Sequence, residues 1–271
     1  FSCLFLIGGD LMFIINPADV EKEAIAQGVP RSELNIPSLV ILTFNKAIGD
    51  DLFHLCNLKD WTWAGTKFTP YAPPVKAFKG KFNQTDIAVF VPPMGASPII
   101  SFCEELIFFG AKILFLLCAS WGLGDKYLYK GQIHLPSFAI GLDGTSPHYG
   151  NKEWKVEPEP RTFKALATAL NELGGSWKEG GVAACEALYR ITPEMVTEFR
   201  KKGCLSMENG EVASLYSLAK TKNILIGVLL QPYIDLEQGW KTSYMDEIYA
   251  ETCKLQARAA LKAAMILLDR K

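Results

Sequence analysis

Histidine is scarce in this sequence. Its 271 residues include three, His54, His134 and His148, too dispersed to form a recognisable metal-binding motif. No C-x-x-C pair occurs among the seven cysteines, and most of these lie in apolar runs, so reduced core thiols are expected rather than disulfides or zinc ligands. There is no dense Lys/Arg block. With 28 basic and 29 acidic residues the net charge is −1, which speaks against a nucleic-acid or anionic-membrane surface. A membrane-length apolar run is also missing. The start, Phe1 to Ile15, is interrupted by Gly8, Gly9 and Asp10, falls short of the ~20 residues a bilayer span needs, and lacks a basic leader region. A buried strand or interface segment is expected there, in a cytoplasmic protein.

What is present suits a large core: 49% of residues are hydrophobic and 21% charged. Short, barely alternating apolar runs at Leu39–Phe44, Ile87–Val91, Ile113–Ala119, Gln132–Ile140, Val182–Ala184 and Ile224–Leu230 read as buried strands. Helical patterns fall between them, at Ala18–Gln27, Ala47–Cys56, Pro98–Phe109, Pro160–Leu173, Pro193–Lys202 and Glu211–Lys220. A last helix is expected over Ser243–Leu268, with Ser243 and Asp246 as its capping pair and Tyr244, Ile248, Cys253, Leu255, Ala259, Ala263 and Ile266 as its apolar stripe. Trp61–Pro74 and Thr145–Pro160 read as long loops. The alternation implies an α/β fold: a single domain over residues 1–271, its twisted mixed sheet flanked by helices, with 1–38 an N-terminal extension or interface segment. His54, flanked by Phe53 and Leu55, reads as a core or interface histidine, and His148 as a structural one.

Three stretches carry a family resemblance. Val91–Leu123 (VPPMGASPIISFCEELIFFGAKILFLLCASWGL) has a Gly-containing turn, a helix with a Glu-Leu pair, Gly-Ala-Lys and a strand. Lys130–Tyr149 (KGQIHLPSFAIGLDGTSPHY) contains Asp-Gly-Thr-Ser followed by His-Tyr. Gly203–Ala219 (GCLSMENGEVASLYSLA) has Met-Glu ahead of a helix with Leu-Tyr. In this order they resemble the nucleoside phosphorylase and uridine phosphorylase superfamily, over roughly residues 35–268. The resemblance implies a site at the strand ends, phosphorolysis of a nucleoside to free base and ribose 1-phosphate, inorganic phosphate as co-substrate, no metal or organic cofactor, and a homo-oligomer, dimer or hexamer, that completes the site.

Site residues follow from the same resemblance. The sugar-holding carboxylate falls on Glu211 or, if a residue is inserted, on Glu208, with Met207 as a wall. Such a carboxylate accepts the pentose hydroxyls and favours positive charge developing on the sugar. The phosphate site departs from the family. Thr43-Phe44-Asn45-Lys46-Ala47 lacks the family's Gly-Asp-Pro and Arg, and Leu116 stands where a second Arg is usual. Neither supplies a guanidinium fork. Ser120, Gly95, Lys67 (across a subunit interface) and Lys46 are the replacements. Tyr189, Gln231 and Arg190 are the candidate base contacts. The turn after the last predicted strand has no carboxylate to protonate a leaving purine, which favours a pyrimidine or non-standard base. Two other readings stay open: a phosphate-independent nucleosidase, and a non-catalytic binding or storage protein of the same fold. Trp61, Trp63, Phe68 and Tyr71 form an aromatic segment suited to an interface.

Overall fold

The computed structural model describes residues 13–69 and 75–269. In chain order the elements are α1 (Pro17–Ala26), α2 (Arg31–Leu34), β1 (Leu39–Thr43), α3 (Lys46–Leu55), β2 (Lys59–Trp61), β3 (Ala77–Phe82), β4 (Thr85–Phe90) and α4 (Ala96–Phe108). They continue with β5 (Ile113–Gly122), β6 (Ile133–Ile140), β7 (Lys155–Val156), α5 (Pro160–Glu172), β8 (Trp177–Ala184), α6 (Pro193–Lys201), β9 (Cys204–Glu208), α7 (Glu211–Lys222), β10 (Leu225–Asp235) and α8 (Glu247–Leu268).

The expected α/β architecture with a mixed sheet is what forms. Strand order is β10-β6-β8-β9-β5-β1-β4-β3-β2, with β7 beside β6. β10 also pairs with β5, so β5, β9, β8, β6 and β10 close into a ring. β1 lies parallel to both β4 and β5, and β10 parallel to β5, so their carboxyl ends share one edge. That edge is where ligands bind in parallel sheets.

Period-two alternation explains why the central strands read as unbroken apolar runs. In β1, Leu39 and Ile41 face one core cluster, shared with Leu52 of α3, Leu166 of α5 and Leu261 of α8, while Val40 and Leu42 face the other. The second cluster is completed by Ile99, Phe102 and Leu106 of α4 and Leu215 and Leu218 of α7. Both faces of the sheet are covered, so neither can be polar. Each fully buried leucine or phenylalanine contributes about 1.5–3 kcal/mol.

Four strands were not foreseen: β2, β3, β7 and β9. β3 and β4 form a hairpin whose two turn residues, Asn83 and Gln84, both have positive φ (45° and 65°). β8 is longer than expected because Gly180 and Gly181 interrupt its apolar pattern. The expected loop at Trp61–Pro74 ends β2 at Trp61 and makes a 3-10 turn at Ala64–Lys67, and its last residues, 70–74, lie outside the described residues. Thr145–Pro160 carries a 3-10 turn and β7.

The last helix starts at Glu247, and the Ser243–Asp246 capping pair does not form. Asp246 occupies the N-cap position without a side-chain capping bond. Ser243 instead donates both its N–H (2.8 Å) and its hydroxyl (3.0 Å) to the Tyr233 carbonyl, tying the preceding loop to β10. Tyr244 therefore precedes the helix. Of the apolar stripe, Cys253, Ala259 and Ala263 are buried but Ile248 is half exposed. At the other end, residues 1–12 of the apolar start lie outside the described residues, and Phe13, Ile14 and Ile15 are exposed rather than buried in a strand.

His54 is exposed on α3, not in the core, and His148 is exposed beside Asp-Gly-Thr-Ser. The six described cysteines are free and buried. His134 is fully buried in β6, bonded to the Ser206 hydroxyl through Nδ1 (2.9 Å) and to the Gly180 carbonyl through Nε2 (3.1 Å). A carbonyl only accepts, so Nε2 carries the proton. Burial pushes its pKa down from 6.5 to about 4. Below pH 6.5 the unfolded chain takes up a proton that the folded chain refuses, so stability falls as pH drops from 6.5 towards 4. Between pH 7 and pH 5 this group costs about 2 kcal/mol at ~1.4 kcal/mol per pKa unit. Urea midpoints measured across that range check the effect. A His134 imidazole that titrates near 6.5 in the native state contradicts it.

Candidate active site

The cleft at the carboxyl-end edge has a volume of about 580 Å³. Its floor is Cys118 and Ala119 of β5. One side is the β1–α3 turn, Phe44 to Ala47, and the other is the β9–α7 junction with Glu208, Asn209 and Glu211. Met94 and an aromatic group, Trp121, Tyr233, Tyr244 and Tyr249, complete it.

Two positive-φ glycines bring the heads of α4 and α7 together. Gly95 (φ +102°) precedes α4 and Gly210 (φ +97°) precedes α7. A Cβ at Gly210 would meet the Cβ of Asp143 at 3.0 Å and that of Ala96 at 3.2 Å, so a side chain there would force the two heads apart. The close approach lets the Gly95 N–H donate to Glu211 Oε1 at 2.9 Å. Glu208 Oε2 accepts the N–H groups of Glu211 (2.8 Å) and Val212 (3.4 Å), capping α7 with a carboxyl. Its second oxygen, Oε1, is buried and has no hydrogen-bond partner. Asp143 anchors this head from behind: it accepts the Ser214 hydroxyl (3.0 Å) and the N–H groups of Thr145 and Ser146.

Burial, and then the negative charge of Glu211, push Glu208 well above the usual carboxylate range, against the pull of the backbone N–H groups it accepts. Burial and the same two carboxylates push the Cys118 thiol up as well, so it is a neutral wall rather than a nucleophile. Lys46 is the one cation among the described lining residues. It is exposed at the rim and paired with Asp50 at 2.5 Å.

The aromatic side is tied together by ring contacts and hydrogen bonds. Tyr233 and Tyr244 stack with ring centres 4.6 Å apart, and Tyr249 meets Tyr244 edge-on at 5.2 Å. Trp121 Nε1–H donates to the Tyr233 hydroxyl (2.8 Å), and Asn45 Nδ2–H donates to that of Tyr249 (2.5 Å). Asn45 also caps α3 by accepting the Ala47 N–H.

Of the residues singled out from sequence, Glu208, Glu211 and Lys46 line this cleft. Others do not. Met207 is fully buried, because alternation along β9 sends it into the core and Glu208 to the cleft. Ser120 is buried with its hydroxyl on the Gln231 carbonyl (3.4 Å), between β5 and β10. Gly95 spends its N–H on Glu211 and is not a free anion donor. Gln231 is fully buried beneath α8, bonded to Gln256 (2.9 Å) and Cys253 (3.1 Å). Tyr189 is 89% exposed, beside a neighbouring hollow rather than in the cleft, and Arg190 is exposed outside it. Leu188, just before them, is the residue of that turn that reaches the cleft. Lys67 is exposed and lies outside the cleft of its own chain.

The aromatic wall and Asn45 were missed. Tyr233 lies two residues beyond Gln231, at a register shift of β10 between Pro232 and Ile234, and lines the cleft, whereas Gln231 is covered by Cys253 and Gln256 of α8. Position along the strand, not residue type, was the overlooked signal. Among the described residues no group of three His, Cys, Asp or Glu side chains converges as a metal site, and no helix is long and apolar enough to cross a membrane.

A strand-end cleft with a carboxyl at the head of a helix, on a mixed sheet closed at one end into a ring, defines an α/β protein with one candidate site at that edge. The family model described as Phosphorylase superfamily matches residues 49–266, and the chain belongs to that family. No curated protein matches it. Among solved structures it is similar to purine nucleoside phosphorylase from Toxoplasma gondii in complex with immucillin-H (TM-score 0.74, 18% identity, 88% of this chain and 94% of that one). It is also similar to uridine phosphorylase from Vibrio fischeri ES114 (TM-score 0.72, 18% identity, 86% and 94%).

Proposed function

We propose that this chain is a pentosyltransferase that binds a nucleoside by its pentose and cleaves the glycosidic bond by phosphorolysis. The observation that carries this reading is Glu211: a buried carboxylate at the head of α7, oriented by the Gly95 N–H and opening on the cleft. It accepts pentose hydroxyls, and its charge favours the oxocarbenium-like transition state. Phosphate, as co-substrate, enters over the amino end of α3 beside Lys46, where the helix dipole favours an anion. Lys67 of a neighbouring subunit is the second cation, which requires a homo-oligomer. Light scattering is expected to give a dimer or larger assembly, and a strict monomer removes Lys67 from the site.

One observation favours a second reading, a binding or storage protein that keeps the pentose site: the only described cation in the lining is held by Asp50. A panel of purine and pyrimidine nucleosides, incubated with and without phosphate and scored for free base, separates the cases. Phosphate-dependent release is the expected result. Release without phosphate indicates a nucleosidase, and binding without release indicates the second reading.

A further inference from the structure

Glu208 and Glu211 are buried in one cleft, and the only cation among its described lining residues, Lys46, stands at the rim and is held by Asp50. Neighbouring carboxyls with no cation between them do not both ionise, so one keeps a proton. Both accept backbone N–H groups: Glu211 Oε1 that of Gly95 (2.9 Å), and Glu208 Oε2 those of Glu211 (2.8 Å) and Val212 (3.4 Å). Their remaining oxygens separate them. Glu208 Oε1 is buried and meets no N–H or O–H donor, and among the described residues Glu211 has no such orphan. A carboxylate oxygen without a donor is costly to bury, whereas a hydroxyl brings its own hydrogen and needs only an acceptor.

That acceptor is the Glu211 side chain, the hydrogen-bonding neighbour of the Glu208 carboxyl. Gly210, at φ +97°, makes the meeting possible by turning the chain between the end of β9 and the head of α7, three residues apart.

We infer that Glu208 is a positioning residue of the pentose site: as a neutral acid it donates its Oε1 proton to the Glu211 carboxylate and, together with the Gly95 N–H, fixes the orientation in which Glu211 meets the sugar. The inference rests on the reading of Glu211 as the pentose carboxylate. The pair carries a single negative charge, placed on Glu211. Donors from two elements, the turn before α4 and the end of β9, grip that carboxylate. Its two oxygens offer about four acceptor sites, so capacity remains for pentose hydroxyls. Glu208 keeps its proton throughout and touches the reaction only through Glu211.

The first test is an infrared difference spectrum of the intact protein at pH 7, wild type minus Glu208→Gln. A carboxyl that only caps a helix is ionised, since the helix head favours its charge, and gives no carbonyl band of a protonated acid. Such a band is expected in the wild type and lost in the variant. Glu105, whose pKa burial pushes up to about 8, holds its proton in both proteins and cancels. Glu211→Gln is expected to lose the same band, because its amide offers Glu208 a donor and the charge that kept the proton in place is gone. That variant serves alone if Glu208→Gln does not fold.

Steady-state kinetics, with thermal melts to confirm folding, give the second readout. Glu208→Leu is expected to lower kcat/KM for nucleoside cleavage about tenfold or more, and Glu208→Gln, whose amide accepts from α7 and donates to Glu211, to recover most of that loss. A wild type without the band, or a folded glutamine variant no better than leucine, overturns the inference and leaves the pentose-binding reading standing. If the wild type cleaves no nucleoside, the catalytic reading falls, and the band together with nucleoside affinity in the same proteins decides the inference.

Discussion

Glu211→Ala is expected to lower kcat/KM for nucleoside cleavage by about 10²–10³, the loss seen when one preorganised transition-state contact is removed. Two buried carboxyls compete for this role, and their hydrogen bonds separate them. Glu208 Oε2 caps α7, accepting two of its first N–H groups, whereas Glu211 Oε1 accepts a single N–H from another element, Gly95. Glu208→Ala leaves the head of α7 uncapped and is expected to cost about 1 kcal/mol of stability. Glu211→Ala orphans the Gly95 N–H, at about 1–3 kcal/mol, but removes the carboxyl that the pentose-binding proposal sets against the sugar. Glu211→Gln keeps the acceptor without the charge and is expected to fall between wild type and alanine. Steady-state kinetics paired with thermal melts check the pattern. Phosphate-dependent cleavage that survives both alanine variants undamaged ends the assignment of the pentose site to this helix.

Trp63→Ala is expected to cost about 3–5 kcal/mol, a large share of the about 5–15 kcal/mol by which a folded domain is stable. From the chain alone Trp63 belonged to an aromatic segment suited to a subunit interface. In the fold it is fully buried, its Nε1–H donates to the Leu34 carbonyl (2.9 Å), and its ring meets Phe90, Phe102 and Phe109 edge-on at 5.6–6.2 Å. Truncation would open a cavity at the meeting point of α2, α4 and β4 and leave a carbonyl unpaired. Trp61 and Phe68 are only partly buried, and Tyr71 lies outside the described residues. Equilibrium urea unfolding measures the loss. A change below 1 kcal/mol, or a shift confined to oligomeric state, restores the interface role to Trp63.

The site was less legible than the fold for a reason visible in single residues. Glu208, Glu211 and Lys46 line the cleft because each lies where a helix starts directly after a strand, and such junctions fall at the sheet edge whatever the rest of the chain does. Gln231 and Ser120 were placed in the site for their chemistry and proved to be core polar groups, because strand neighbours and α8 cover them. Tyr244 was read as the first turn of a helix. It is a cleft residue because Ser243 bonds back to Tyr233 and delays α8 to Glu247. None of these outcomes follows from residue type or from spacing along one segment.

Burial on both faces of β1, β5 and β10 was written in the residue order, since a strand covered on each side must be apolar at every position, and the helices between them announced themselves by period and by proline at their starts. How far a strand runs beyond the helix above it is a different kind of quantity. It depends on where α8 begins and on the ring closure of β5 with β10, contacts between segments more than a hundred residues apart. Contacts of that kind frame the cleft that Tyr233 lines, while Cys253 and Gln256 of α8 cover Gln231.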